Sequence, residues 1–453
     1  MMRTAVLLLA LTSLSNAQLE TDWKALGQEA YLFAYPLVLM DVTRQASVDS
    51  SSSTLTLEAN GFAHLRAFPD DKFRRVVRPN ADTLYSSAWL DLSKEPVLMH
   101  VPDTQGRYYL MQLMDAWTET VSVPGKRSTG TGEGWFAIVG SGWQGKLPVN
   151  AKRIDCPTNM AWILGRTQTN SASDHKNVHA VQDGYRLMPL SRYPDGVPRS
   201  TPRRSAAGTE ARKPPPIVVA GMSTTEFFNQ FAQLMKPNPP HSADEPAMAK
   251  LTQAGIRPGQ AFENVPNPDF EAGVQRAKQI LSGAETRRAA GNLGPTGWTK
   301  FGAVVGRYGT GYLARAVVAR IGLGANPPED AVYLNCNVDS KGAALDGGHS
   351  YRIHFDKSQL PPVNAFWSIT MYDLAGYFTP NPIGRYAVGD RDTLKYSDDG
   401  SLDLYIQNAA PRGLGVSNWL PAPKDQFNLS FRLYWPRAEI LNGSWAPPAV
   451  IEH

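Results

Sequence analysis

A chain of 453 residues is longer than a single hydrophobic core sustains, so two or three domains are expected. A hydrophobic content of 42% with 10% aromatic is ample for packed interiors, while a charged fraction of 19% and a net charge of +4 leave no concentrated basic face for nucleic acid.

Residues 1–17, MMRTAVLLLALTSLSNA, combine a basic start at Arg3, an apolar run from Ala5 to Leu11 and a small-x-Ala ending at Ser15 and Ala17. That is the pattern of a secretory signal peptide cleaved after Ala17, and it predicts a secreted or periplasmic protein. No later stretch is long and apolar enough to span a membrane.

Residues 20–45 carry helical spacing at Ala25, Leu32 and Tyr35, and Pro36 is expected to kink or end that helix. From 73 to 170, short apolar runs alternate with turn residues: Val97–Val101, Tyr108–Trp117, Trp135–Gly140 and Met160–Thr169 read as antiparallel strands. A Pro- and Arg-rich stretch, 191–220, reads as a linker. Helical patterns follow over 221–325, with capping boxes expected at Ser223–Glu226 and Ser242–Glu245. Strand texture returns after 326, with a turn at Asp399-Gly400 and a closing strand Phe427–Trp435. The fold class is therefore α+β, mainly β. Domains are expected at 18–190 (β-rich), 221–325 (helical) and 326–453 (β-rich).

The two β-rich regions repeat one another. Tyr85 precedes Asp91 by six residues, as Tyr333 precedes Asp339, and each copy is followed downstream by a strand ending in an aspartate, Asp115 or Asp373. Strand alternation puts Tyr85, Ser87 and Trp89 on one face and Tyr333, Asn335 and Asn337 on the matching face. Two sandwich-like, jelly-roll-like modules related by duplication are expected.

Asp115 and Asp373 close apolar strand faces, where a carboxylate is costly unless it is paired or sits at a cleft; they are candidate acid–base groups. The bland alternative is an aspartate bonded to its own turn. His354, in RIHFD, is a candidate base, with a satisfied structural histidine as the alternative. Arg78, Asn80 and Asp82 lie in one tight bend that could grip an anionic or polyhydroxyl ligand, or equally form an Asx turn with Arg78 paired to Asp82. Arg166 and Arg385 are further anion-binding candidates, with salt-bridge partners for nearby aspartates as the favoured alternative, and Tyr85, Trp117 and Tyr372 are candidate substrate contacts, the aromatics suiting either sugar stacking or core packing. Cys156 and Cys336 form either one disulfide or two buried thiols. Asn428 and Asn442 head glycosylation sequons. There is no HExxH, CxxC pair, G-x-S-x-G elbow or phosphate loop, so no metal or cofactor is expected.

The segments RPNADTLYSSAWLDLS, GRYYLMQLMDAWT, PTNMAWILGRTQ, GRYGTGYLARAVVARIGLGAN, LPPVNAFWSITMYD, NPIGRYAVGDR and SNWLPAPKDQFNLSFRLYWP resemble an exported two-domain bacterial family. In it, the domain of unknown function twelve-fifty-four precedes twelve-fourteen. The resemblance implies paired β-rich domains, a helical insertion and export, and no established activity. The family pattern has Ser-Pro-Thr-Asn where this chain has Cys156-Pro157, so a bridge would be particular to this chain. The functional expectation is an exported enzyme using strand-end carboxylates on a polar, glycan- or uronate-like substrate. The alternative is a non-enzymatic ligand-binding or envelope-associated protein.

Overall fold

The computed structural model describes residues 21–48, 59–74, 78–193, 213–263, 267–283, 296–300, 304–412 and 416–453. The expected leader and residues 194–212 of the expected linker lie outside the described residues. The last part of that linker is instead a short helix, Pro215–Gly221, whose two prolines occupy its first turn, where no backbone donor is needed.

The first module contains β1 (Ala63–His64), β2 (Thr83–Asp91), β3 (Val97–Val101), β4 (Tyr109–Asp115), β5 (Thr120–Ser122), β6 (Gly134–Val139), β7 (Ala151–Asp155), β8 (Met160–Gln168) and β9 (Arg186–Pro189). They form two sheets, in the orders β1-β2-β8-β4-β5 and β7-β6-β3-β9. The second module contains β10 (Trp298–Lys300), β11 (Ala331–Cys336), β12 (Tyr351–Phe355), β13 (Val363–Asp373), β14 (Ala387–Gly389), β15 (Leu402–Gln407), β16 (Trp419–Pro421), β17 (Phe427–Pro436) and β18 (Ile451–Glu452). Its sheets run β10-β11-β17-β13-β14 and β16-β15-β12-β18. The two orders are the same, strand for strand. Even the parallel pair recurs, β6 with β7 and β15 with β16, among otherwise antiparallel neighbours. Register agrees too: Tyr85 faces Arg166 across β2 and β8, and Tyr333 faces Arg432 across β11 and β17. The duplication expected from the sequence is visible in the topology.

Alternation builds each core. Ala88 and Leu90 of β2, Tyr109, Met111 and Leu113 of β4, and Ala161 and Ile163 of β8 point between the first module's sheets. Leu334 and Cys336, Trp367, Ile369 and Met371, and Leu429, Phe431 and Leu433 do the same in the second. Cys156 and Cys336 therefore sit in different cores and are two buried free thiols, the second of the two arrangements the sequence left open. Burial pushes the Cys156 thiol up to about 12 and the Cys336 thiol up to about 11.

A helical layer covers one part of the outer face of the first module's larger sheet, around Trp89, Met114 and Leu164. Its centre is the helix Trp23–Val48, buried from Ala30 to Val42, which shares one core with the later helices and with those three strand residues. Pro36 lies inside this helix and does not end it, because packing on every side outweighs one lost backbone bond. The helix crosses Pro268–Ser282 through Gly27 and Gly273. A Cβ on Gly273 would lie 2.0 Å from the Lys24 carbonyl oxygen, and one on Gly27 2.1 Å from that of Phe270. Gly273→Ala should therefore force the helices apart and cost about 1–3 kcal/mol, read as a lower denaturation midpoint. Ser223 and Glu226 form the expected capping box. The second box begins one residue earlier than expected, between His241 and Asp244, ahead of the helix Glu245–Gln253. Among the described residues, no helix is long and apolar enough to cross a membrane.

Candidate functional site at the module interface

The polar faces of the two larger sheets meet, and there the duplicated residues come together. The contacts are reciprocal. Asp82, three residues before Tyr85, is paired with Arg391 of the second module and accepts from Ser368 Oγ at 2.7 Å. Asp330, three residues before Tyr333, is gripped at 2.6 and 2.9 Å by Arg127 of the first module. This arrangement corrects the expected Arg78–Asp82 pair: Arg78 reaches the other way, giving Nη1 to Asn335 Oδ1 at 2.7 Å.

At the centre lie Arg166 and Arg432, the duplicates of each other, exposed by only 4% and 5%. Arg166 donates to Gln112 Oε1 at 3.1 Å, Asn326 Oδ1 at 2.6 Å, the Gly324 carbonyl at 2.8 Å and the Tyr85 hydroxyl at 3.4 Å. Arg432 donates to the Arg78 and Pro79 carbonyls at 3.2 and 3.1 Å and to the Tyr372 hydroxyl, and its Nε has no partner. Neither guanidinium has a carboxylate within ion-pair distance among the described residues, since Asp82 and Asp330 are engaged by other arginines. Burying a cation without a counter-charge costs several kcal/mol.

Tyrosines surround the two cations. Tyr85 and Tyr333 are half-buried, Tyr85 packing in part against the helical layer, whereas Tyr372 and Tyr434 are fully buried. Asn80 forms the expected Asx turn, accepting from the amides of Asp82 and Thr83 at 2.6 and 3.1 Å. Its Nδ2 also donates to Tyr434 at 2.8 Å and Tyr85 at 3.3 Å, tying the turn to both modules. Arg78 is exposed and holds φ at 54°, a left-handed conformation uncommon outside glycine, and its guanidinium carbon lies 5.7 Å from the Tyr372 ring centre. Behind Tyr333 is a cavity of about 60 Å³ lined in part by Asn326, Lys300, Val305 and Ala325.

The structure thus brings Arg78, Asn80, Asp82, Tyr85, Arg166 and Tyr372 together and leaves the other candidates elsewhere. Asp115 is wholly buried: Oδ1 accepts from the amides of Trp117 and Glu119 at 2.9 and 3.0 Å, and Oδ2 accepts from His241 Nε2 at 2.6 Å. Asp373 Oδ1 accepts from the Tyr377 amide at 2.8 Å, the same four-residue turn in the other copy, and its side chain borders an open groove with Asp346 and Asp425. The two aspartates share no contact. His354 is on an outward face, bonded to Asp403 Oδ1 at 2.7 Å. Trp117 packs on Phe33 and Phe231 and donates to the Pro239 carbonyl at 3.1 Å, within the helical layer. Arg385 staples the carbonyls of Ser417 and Trp419 at 3.1 and 2.9 Å. Asn428 is buried in β17 with Nδ2 given to the Asp373 carbonyl, while Asn442 is exposed.

Sequence reading missed Arg432, Tyr434, Asn326 and Arg391. The signal for Arg432 was present: once Tyr333 is aligned with Tyr85, the partner strand FNLSFRLYW sets Arg432 where MAWILGRTQ has Arg166. No group of His, Cys, Asp and Glu suited to a metal ion occurs among the described residues.

The profile described as Protein of unknown function (DUF1254) matches residues 59–189, the first module, and that described as Protein of unknown function (DUF1214) matches 330–438, most of the second. The crystal structure of the VPA0106 protein from Vibrio parahaemolyticus is similar over 95% of this chain and 100% of that one, at 22% identity and a TM-score of 0.71, and so shares the fold. An uncharacterized Burkholderia cenocepacia protein aligns over 95% of this chain and 94% of its own, at 11% identity and a TM-score of 0.44. None of the curated proteins is detectably similar. With both profiles present in that order, the chain belongs to the two-domain family in which a DUF1254 domain precedes a DUF1214 domain.

Proposed function

We propose that the chain binds a small anionic ligand, a carboxylate such as a uronate, in the cleft between the two modules. The observation that carries this reading is a pair of buried guanidiniums, Arg166 and Arg432, with no carboxylate partner among the described residues and one unpartnered Nε. A planar guanidinium presents a fork that suits a carboxylate, and an incoming anion supplies the missing counter-charge. The exposed Arg78 adds a third cation, and the half-buried rings of Tyr85 and Tyr333 supply walls against which a polar ring can lie. In this proposal Asp115, Asp373 and His354 keep their local bonds and take no part in the site.

Titration calorimetry at low ionic strength with galacturonate, acetate and sulfate tests it. Wild type is expected to bind galacturonate, and Arg432→Met to weaken that binding at least tenfold, about 1.4 kcal/mol. Unchanged affinity in Arg432→Met, or no binding of any of the three anions to wild type, overturns the reading.

A further inference from the structure

The two tyrosines at the centre occupy equivalent places in the duplicated modules, yet their surroundings differ. The Tyr85 hydroxyl oxygen accepts from Asn80 Nδ2 at 3.3 Å and from Arg166 Nε at 3.4 Å, an amide and a cation together. The Tyr333 hydroxyl accepts from Asn326 Nδ2 at 2.9 Å and has the Tyr434 hydroxyl beside it, both neutral groups. Arg432, the duplicate of Arg166, turns instead to the carbonyls of Arg78 and Pro79 and to Tyr372, and lies 5.9 Å from the centre of the Tyr333 ring. A phenol oxygen that receives two donors, one charged, is suited to holding negative charge; one that receives a neutral amide keeps its proton.

We infer that Tyr85 is the proton acceptor and Tyr333 the proton donor of a proton-transfer reaction on the anion held by Arg166 and Arg432. This inference rests on the anion-binding reading. Charge in the site follows the same division. Burial opposes ionisation of Tyr85, but the fields of Arg166 and Arg432 and the bonds from Arg166 and Asn80 outweigh it and hold its pKa below the usual phenol value. Burial dominates at Tyr333, and the nearby Tyr85 adds to it, so its pKa is raised despite Arg166 and Arg432. Groups whose environments push their pKa values apart are suited to opposite proton roles. The charged and titratable groups facing Tyr85 are Arg166 on β8, Arg432 and Tyr434 on β17 and Tyr333 on β11, with Asp82 beyond them neutralised by Arg391.

The step balances without any redox partner. The Tyr85 phenolate takes a proton from the carbon next to the ligand carboxylate and becomes a phenol, and the C–H electron pair remains on the ligand as an enediolate. The carboxylate then carries more negative charge than before, which is the state two cations favour over one. Tyr333 returns a proton to the ligand and becomes a phenolate, and exchange with solvent restores both groups. The substrate class is a carboxylate with a hydrogen on its α carbon, as in a uronate, and the reaction class is isomerisation or elimination.

Ultraviolet pH titration of the full chain reads the assignment directly, through the phenolate band and without a substrate. Wild type is expected to show one tyrosine ionising below the ordinary value of 10. Tyr85→Phe should lose that step and Tyr333→Phe should keep it. Saturating galacturonate should move the step upward in wild type, because the bound anion cancels the field of the arginines. Absence of the early step, or its survival in Tyr85→Phe, overturns the proton assignment even where calorimetry shows anion binding. An early step that galacturonate does not move, with no heat of binding, instead overturns the anion reading.

Discussion

Asp115→Ala should destabilise the fold by about 3–5 kcal/mol, whereas Asp373→Ala should cost about 1 kcal/mol. The two aspartates are duplicates and cap equivalent turns, so the difference isolates what the first one does in addition. Asp115 is wholly buried and accepts from His241, which is also held by Asp244 on its other nitrogen at 3.3 Å. Tyr312 donates to Asp244 at 3.0 Å, and Arg315 pairs with Glu119 at 3.1 Å, so the same cluster joins the helical layer to the first module. Removing Asp115 leaves two amides without their acceptor and takes from the half-buried His241 the shorter of its two carboxylate bonds. Burial alone would lower the His241 pKa, but the bonds to Asp115 and Asp244 outweigh it and raise it to about 9 from 6.5. A group with a raised folded pKa stabilises fully below its unfolded value and loses that contribution as pH rises through the folded one. Wild type should thus lose on the order of 2–3 kcal/mol between pH 6.5 and pH 9 through His241, a slope reduced in Asp115→Ala, where Asp244 alone holds the ring. Calorimetric unfolding across that range checks both statements.

Arg166→Met should also cost about 3–5 kcal/mol, while Arg432→Met should stay within about 1 kcal/mol of wild type. The reason lies in what each guanidinium satisfies. Arg166 supplies donors to Gln112, Asn326, the Gly324 carbonyl and Tyr85, joining the first module to the segment after the helix Tyr312–Gly322; methionine would leave those acceptors unpaired. Arg432 serves two carbonyls and a phenol that already donates to Pro79, and its Nε is unpaired, so an apolar chain of similar length relieves a desolvated charge at little loss. Denaturant unfolding of both variants measures the contrast. Equal losses would mean that the two arginines are structural to the same degree, which the proposed site does not allow.

The fold was readable because it is written twice. The repeated Tyr-to-Asp spacing, the strand alternation and the Ser223–Glu226 cap are local signals, and local signals suffice for modules and most element positions. Pro36 does not end its helix because a buried helix is held by its surroundings as well as by its own ladder. Asp115 and Asp373 looked unusual for their position, and the structure answers with backbone amides only four residues away. The Arg78–Asp82 bend was located, but its partners, Asn335 and Arg391, are separated from it by 257 and 309 residues. Which sheet face of one module looks onto the other is a tertiary fact, so Arg432 and Tyr434 became visible only when the modules met. His241, 126 residues from Asp115, was out of reach for the same reason.

Crystals of the wild-type protein soaked in selenate, whose selenium is located by anomalous scattering, test the central claim most directly. An anomalous peak within hydrogen-bonding reach of Arg432 Nε, and absent from Arg432→Met crystals, is the predicted result. A cleft without selenium, in crystals that bind it elsewhere, would contradict the account.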